Sequence, residues 1–556
     1  MGNEASVVKF TINGTEREYP AGTTLEEMAK SIGYPKDRPI VAAIVDDQFY
    51  ELTEKPRAGS KIRLLDIYDE DGNRVYTRSL SFILVSAVKK VFPQARVRIE
   101  HSLSNGLYCE MDKPGVPTAM DVKRVEEAMR DIVSKDMPFV RTQVTKEEAI
   151  RYYEQDGQTD KAQLIHYRPL NYFVLYECGG IKNYFYGFMT PSTGYIDQFA
   201  LIYYPPGFVA VFPRAGGVGT DMKFMDRPKH AKIFKEAEAW ARILECDHVS
   251  DVNTMVEKGK LREFIRISEA LHEKKLAEIA NDITSHGKIQ RLILICGPSS
   301  SGKTTFAQRL MVHLSVLGKK PVSISLDNYY KNRDEMKVDA DGILDLESVN
   351  AIDLDLFNRD IEALLQGREV EMPVFNFKAG KREYNGTRMQ LNPENIVIVE
   401  GIHTLNTLVA SSILDSDKYR IYISPLTHLN LDDHNRIPTT DVRLIRRIVR
   451  DSMTRGASAE LTLEMWPGVR KGEEKYIFPF QENADIMFNS SLPYELFILK
   501  KYVYPLLEKI KRDDINYPAA NRLVKFLNYI LSSDDDDEIP PTSILREFIG
   551  NSCFYK

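Results

Sequence analysis

The chain has 556 residues, of which 43% are hydrophobic and 28% charged, the composition of folded globular domains with room for three or four cores, not of a disordered chain. Lys and Arg number 74 against 80 Asp and Glu, and the resulting −6 is too mild for non-specific nucleic-acid binding by the whole chain. Five cysteines (Cys109, Cys178, Cys246, Cys296, Cys553) form no CxxC pair, which argues against a disulfide framework or zinc ribbon; with no apolar run near the roughly 18 residues of a spanning helix, a cytoplasmic protein with no membrane partner is expected.

Residues 1–67 open with MGNEAS, which fits a myristoylation pattern, although chance is the better account because one acyl chain anchors only marginally. VVKFTI and KIRLLDI read as strands. Thr24-Leu25-Glu26-Glu27 is a capping box opening a short helix that stops at Gly33, and a hairpin is expected at Asp46-Asp47. Residues 68–222 read as a second α+β unit, rich in aromatics, with helices near 80–92 and 121–135. Residues 223–288 are charged and helical in pattern, a connector. From 289 to 531 short apolar runs at 291–296, 321–326, 395–400, 419–424 and 485–489 alternate with helical patterns, which predicts a parallel sheet with helices on both faces. Residues 532–556 begin with the acidic run Asp534 to Glu538, expected to be a solvated linker. The fold class is therefore multidomain: α+β units in front, an α/β domain behind.

The stretch RLILICGPSSSGKTTFAQRL, residues 291–310, carries the sharpest signal. Gly297, Gly302, Lys303 and Thr304 satisfy G-x-x-x-x-G-K-[ST]. In that loop backbone N–H groups wrap an anion, the lysine reaches the β- and γ-phosphates, and the Thr304 hydroxyl can ligate Mg²⁺. A buried-type strand precedes the loop, and a helix with Phe306, Leu310, Leu314 and Leu317 on one face follows, ending at Gly318. Gly297 to Thr305, that is Pro298, Ser299, Ser300, Ser301 and the residues already named, is expected to hold ATP.

Three further segments belong with this loop. PVSISLDNYY delivers Asp327 to the carboxyl edge of the next strand, where ligands of open α/β sheets gather; a carboxylate there can take a hydroxyl proton, although a helix-cap role is the competing reading. NIVIVEG delivers Glu400 to the same edge as a candidate Mg²⁺ ligand. In DVRLIRRIVRDSMTRG, Arg443, Arg447 and Arg450 fall on one helical stripe and Arg455 begins a lid; arginines so placed can stabilise charge on a phosphate in flight. Surface ion pairing competes for each of them.

These pieces, with DLESVNAID, PVFNFKAGKR and IVIVEGI in the same order, resemble the uridine kinase/phosphoribulokinase family of P-loop kinases over residues 289–530. The resemblance implies ATP-dependent transfer to a nucleoside, with Asp327 as base on a ribose 5′-hydroxyl and Lys303, Arg447, Arg450 and Arg455 on the phosphates. It places Tyr330 and Phe375 in the nucleoside pocket, and puts Glu347 where the family has an Asp for ribose hydroxyls, with Asp345 competing. The segment that reads a pyrimidine edge departs from the family: Phe375 and Asn376 replace Tyr and Asp, and Gly380 falls where a base-binding His belongs.

Residues 6–67 resemble a TGS domain, and 68–222 resemble the editing domain that follows it in threonyl-tRNA synthetases, on VKKVFPQARVRIEHSLSNGLYCEMD and TPSTGYI. The positions of that site's HxxxH and Cys…His ligands are Ser79, Ile83, Phe185 and Met189, none of which can supply an imidazole or thiolate. A tRNA-editing hydrolase is disfavoured accordingly. The leading expectation is a small-molecule kinase using ATP and Mg²⁺; the alternative is an RNA- or ribosome-associated regulatory ATPase with the front half as RNA reader. A homo-oligomer is left open.

Overall fold

A computed structural model describes residues 6–216, 222–285, 290–336, 345 and 347–555. Most of the MGNEAS pattern lies outside the described residues. The front of the chain is a five-stranded sheet with strands in the order Thr15–Pro20, Val7–Ile12, Lys61–Asp66, Ile40–Val45, Gln48–Tyr50. The capping box forms as expected: Glu27 N–H donates to Thr24 Oγ1 at 3.2 Å and Thr24 N–H to Glu27 Oε2 at 2.8 Å. Asp46 and Asp47 turn the hairpin with φ of 47° and 59°, the left-handed geometry that matches strand twist.

The second unit sets helices Glu70–Val91 and Ala119–Ser134 against an antiparallel sheet of Ala200–Tyr204, Gly207–Val211, Gly106–Asp112 and Arg96–Leu103. A three-stranded sheet (Val140–Thr145, Tyr172–Cys178, Ile181–Asn183) stands beside it. Helices Pro228–Leu244, Val249–Glu257 and Leu261–Ser285 follow.

Behind them lies one all-parallel sheet of β1 (Leu292–Cys296), β2 (Lys320–Ser325), β3 (Asn395–Glu400), β4 (Lys418–Ser424) and β5 (Ile486–Asn489), in the order β2-β3-β1-β4-β5. All five residues of β1 are buried, as a strand covered on both faces requires, and this is why the sequence shows an unbroken apolar run there. Three helices matter for the site: α1 (Lys303–Val316), α2 (Thr439–Thr454) and α3 (Ala459–Tyr476). On α1, Phe306, Leu310 and Leu314 are buried as expected, but Leu317 is 39% exposed. The helix ends at Val316, so the chain turns away before Leu317 can join the stripe.

The two halves are not beads on a string. The segment Asn430 to Arg436, between β4 and α2, is pressed into the front half. Lys161, 1% exposed, reaches Asp432 at 3.4 Å and touches His434. Tyr186 N–H donates to Asn435 Oδ1 at 2.8 Å, and Ile99 N–H to the Asp433 carbonyl at 2.8 Å.

The acidic run is a correction to the sequence reading. Asp535 accepts from Arg262 at 2.8 Å, Asp536 pairs with Lys501 at 3.1 Å, and Glu538 pairs with Arg266. Cations on helices Leu261–Ser285 and Glu495–Glu508 thus hold the run down. Beyond it Ile544, Leu545 and Phe548 are fully buried, and Ile544 lies against Gly302 in the loop between β1 and α1. Among the described residues no helix is long and apolar enough to cross a membrane.

Candidate nucleotide and acceptor site

The loop between β1 and α1 is shaped by two glycines for which no other residue would serve. A Cβ at Gly297 would stand 2.2 Å from the Ile423 carbonyl oxygen. Gly302 has φ +83°, and a Cβ there would stand 2.4 Å from Ile544 Cγ2, so the position is doubly closed to side chains. Between them the Ser300 and Ser301 hydroxyls are buried without a hydrogen-bond partner. Buried hydroxyls without a protein partner beside a helix N-terminus are a donor set that suits an anion. Lys303 holds Nζ 3.3 Å from the Pro298 carbonyl, and Thr304 follows it in the first turn of α1.

Thr305 is already engaged. Its hydroxyl donates to Glu547 Oε2 at 2.8 Å, its N–H lies 3.4 Å from the same oxygen, and the Tyr555 hydroxyl is 3.0 Å away. The C-terminal segment therefore sets a carboxylate on the mouth of the phosphate loop.

The back of the loop is braced by α2 and α3. Arg443 Nε donates to the Ser299 carbonyl at 3.0 Å, and Glu473 accepts from Ser299 N–H at 3.2 Å. Arg446, fully buried, donates to the Ser300 carbonyl at 3.4 Å and pairs with Glu495 at 2.6 Å. The arginines of α2 thus divide. Arg443 and Arg446 position the loop, whereas Arg447, Arg450 and Arg455 converge on Asp451 at 3.2, 3.5 and 3.3 Å. Arg447 also donates to Ser299 Oγ at 3.0 Å, and Arg450 lies 3.7 Å from Glu547. The positioning roles of Arg446, Asp451, Glu473 and Glu495 escape the sequence, where they read as ordinary helix-face charges.

At the carboxyl edge of the sheet, Ser325 pairs in register with Glu400, and its hydroxyl donates to Glu400 Oε1 at 2.8 Å. Asp327 opens the turn that follows β2. Burial pushes its carboxyl up, while Lys303 and Arg455 pull it down. Glu400 is raised by burial and then by the charge of Asp327, with Lys303 opposing. The charges of Lys303, Asp327 and Glu400 thus act on one another. The Glu400 carboxylate and the hydroxyl of Thr304, in the first turn of α1, are hard oxygen donors of the kind that suit Mg²⁺.

The expected acceptor residues come to the same place. Tyr330 packs on Phe375 with centroids 5.5 Å apart, and Phe375 on Phe377 at 5.0 Å. Glu347 is pushed up to about 7 by burial and by Glu473, against the pull of Arg447 and Lys303. Asp345 accepts from the Tyr476 hydroxyl at 2.6 Å. At Gly380 a Cβ would stand 2.4 Å from Arg333 Cδ, so an arginine side chain lies over the position where the family carries a base-binding His. A further candidate on this side is His403, which is 1% exposed, with its ring 6.3 Å from that of Tyr476 and neither ring nitrogen in a well-formed hydrogen bond. Burial pushes it down to about 4, so it is neutral. The signal was present in GIHTLN, a histidine three residues past Glu400.

In the front half Ile83, Phe185 and Met189 are buried in one apolar core, and Ser79 is buried one turn before Ile83 on the same helix. Ser79 Oγ accepts from Thr190 N–H at 2.9 Å, and Phe185 packs on Phe82 at 5.3 Å and on His434 at 6.2 Å.

Residues 292–495 match the model of the phosphoribulokinase/uridine kinase family. The N-terminal region is similar to threonine–tRNA ligases. That of Symbiobacterium thermophilum is 32% identical over 200 residues, 36% of this chain and 31% of that protein. That of Desulforamulus reducens is 31% identical over 198 residues, 35% of this chain and 31% of that protein. The chain thus spans about a third of the length of these curated relatives. Among solved structures, a possible uridine kinase from Bacillus stearothermophilus aligns with 39% of this chain and 97% of its own at 17% identity and a TM-score of 0.27.

Proposed function

We propose that the phosphoribulokinase/uridine kinase-family domain in the C-terminal region transfers the terminal phosphoryl group of ATP to a hydroxyl of a small molecule, a nucleoside by preference, giving the 5′-monophosphate and ADP. The observation that carries this reading is that parallel strands β1, β2 and β3 end together, which brings the loop before Lys303, the turn at Asp327 and Glu400 to one sheet edge. A switch ATPase needs no carboxylate beside an aromatic-walled pocket, whereas a kinase does.

In the reaction the acceptor oxygen attacks the terminal phosphorus while its proton passes to the Asp327 carboxylate. The bond from phosphorus to the ADP oxygen breaks, and ADP leaves with the electron pair. Lys303, Arg447, Arg450 and Arg455 balance charge spread over the transferring group. Thr304 and Glu400 would hold Mg²⁺, which neutralises phosphate charge when bound. Tyr330 and Phe375 would stack on the flat part of the acceptor, Glu347 and Asp345 would accept from its hydroxyls, and His403 offers a neutral ring for hydrogen bonding. With Arg333 over Gly380, base recognition differs from that of a pyrimidine nucleoside kinase.

With this goes a division of the chain into a TGS-like unit (1–67), an editing-like unit (68–222), a helical connector (223–288) and the kinase domain (289–531), in a cytoplasmic protein. The similarity of the front half to tRNA ligases favours one further reading, an RNA-associated ATPase. Product analysis separates the two. ATP with a panel of nucleosides should yield a monophosphate; equal phosphate release with and without every nucleoside would eliminate the kinase.

A further inference from the structure

We propose that the cavity between the front half and the kinase domain is a second anion site, which takes a phosphate-bearing small molecule on Arg227 and Arg436. The cavity has a volume of about 200 Å³. Three parts of the chain wall it: Ser102 and Arg214 from the editing-like unit, Arg227 and His230 at the start of helix Pro228–Leu244, and the facing ends of β4, α2 and α3.

The case rests on a charge imbalance. Five arginines line the cavity, against a single carboxylate, Glu474. Three of the five are paired: Arg214 lies 3.7 Å from Glu474, Arg470 lies 2.9 Å from Glu473 and 2.6 Å from Glu474, and Arg443 pairs with Glu473. Arg227 and Arg436 have no carboxylate within ion-pair distance among the described residues. Arg227 reaches only the Phe478 carbonyl at 3.5 Å, and Arg436 the Ser102 hydroxyl. Arg436 Nε and His230 Nδ1 are buried without a hydrogen-bond partner. Burial pushes Arg436 down to about 10 and lowers Arg227, the latter helped by Arg214. Buried cations of this kind are costly unless an anion joins them.

The chemistry selects phosphate. Two guanidinium groups with free donors match its oxygens. Thr439 and Thr440 line the same cavity in the first turn of α2, a 16-residue helix, where backbone N–H groups have no partner inside the helix. Phe234, Tyr422 and Phe478 supply apolar wall for an organic body. A cavity closed by three segments of one chain suits a small phosphoester rather than a nucleic-acid backbone.

The site lies one side chain from the P-loop. Arg443 and Arg470 line the cavity and share Glu473, and both Arg443 and Glu473 hold the backbone of Ser299. An anion in the cavity competes with Glu473 for these arginines, so its binding is felt at the nucleotide loop.

Binding of pyrophosphate and of ribose 5-phosphate to the full chain, measured by calorimetry in wild type, Lys303→Ala, Arg227→Ala and Arg436→Gln, tests the proposal. A binding event that survives Lys303→Ala and weakens at least tenfold in Arg227→Ala and Arg436→Gln is expected. If Arg436→Gln does not fold, Arg227→Ala decides, because Arg227 makes one long bond to a carbonyl. Loss of all binding in Lys303→Ala, with full affinity in Arg227→Ala, would assign every anion to the P-loop and overturn the site. Affinity for tRNA that falls in the arginine variants, with neither small probe bound outside the P-loop, would overturn it in favour of an RNA contact.

Discussion

The Glu547 carboxylate accepts from the Thr305 hydroxyl at 2.8 Å, in the first turn of the helix that should receive the nucleotide's phosphates. A fixed negative charge there opposes a polyanion. Glu547→Gln keeps the shape and removes the charge, so ATP should bind about three- to tenfold more tightly, the equivalent of roughly 1 kcal/mol. Calorimetric titration with a non-hydrolysable ATP analogue reads this, and an unchanged or weaker affinity would show that the carboxylate is no obstacle.

Lys303→Ala should abolish turnover and leave the fold intact, since the lysine makes one 3.3 Å contact within its own loop. Asp327→Asn should lose roughly 10²–10⁴-fold in kcat, the contribution of a positioned base, while nucleotide affinity holds. Undiminished turnover in the Asn variant would remove Asp327 from the chemistry.

His403→Ala should raise KM for the acceptor at least tenfold with little effect on ATP affinity, because the buried ring faces Asp345, Glu347 and Tyr476. Equal losses for ATP and acceptor would mean that the ring only supports the fold.

Arg446 and Glu495 form a buried ion pair at 2.6 Å. Arg446→Ala leaves a carboxylate uncompensated in the core and should cost about 3–5 kcal/mol; the double variant Arg446→Met/Glu495→Leu should recover much of that stability but not the P-loop bond to the Ser300 carbonyl. Chemical denaturation and kcat together separate the two effects.

Glu100 and Glu238 face each other near Arg98, Arg242 and Glu110, and each is pushed up to about 7, chiefly by burial. An acid whose folded-state pKa is raised stabilises the fold below its unfolded value near 4.5 and loses that contribution as pH climbs through 7. Glu238→Gln should therefore come closest to wild type in Tm at pH 4 and exceed it by about 1 °C or more at pH 8. A difference that shrinks with rising pH would contradict the sign.

Much of this was legible because local rules coincide with global ones. An apolar run ending in Gly297 and Gly302 specifies strand, loop and helix at once, and Asp327 and Glu400 fall at a shared edge because parallel strands end together. What escaped was long-range. Nothing near Glu547 signals that it meets Thr305, some 240 residues earlier, and the acidic run before it reads as solvated until Arg262 and Arg266 are brought alongside. His403 is marked in the sequence only by its place three residues past Glu400, which says nothing of its burial beside Tyr476. Arg333 over Gly380 illustrates the same limit: the missing imidazole was visible, the side chain that took its place was not.

The hairpin at 430–436 has a consequence for how the chain can be divided. Two residues separate it from the arginine helix, and its polar groups are satisfied by Lys161, Tyr186 and Ile99 of the other half. Severing the protein near residue 290 would strip those partners away and expose the seam. The front half thus acts as a keystone for the arginine-rich helix rather than as a tethered accessory, and the two halves should stand or fall together.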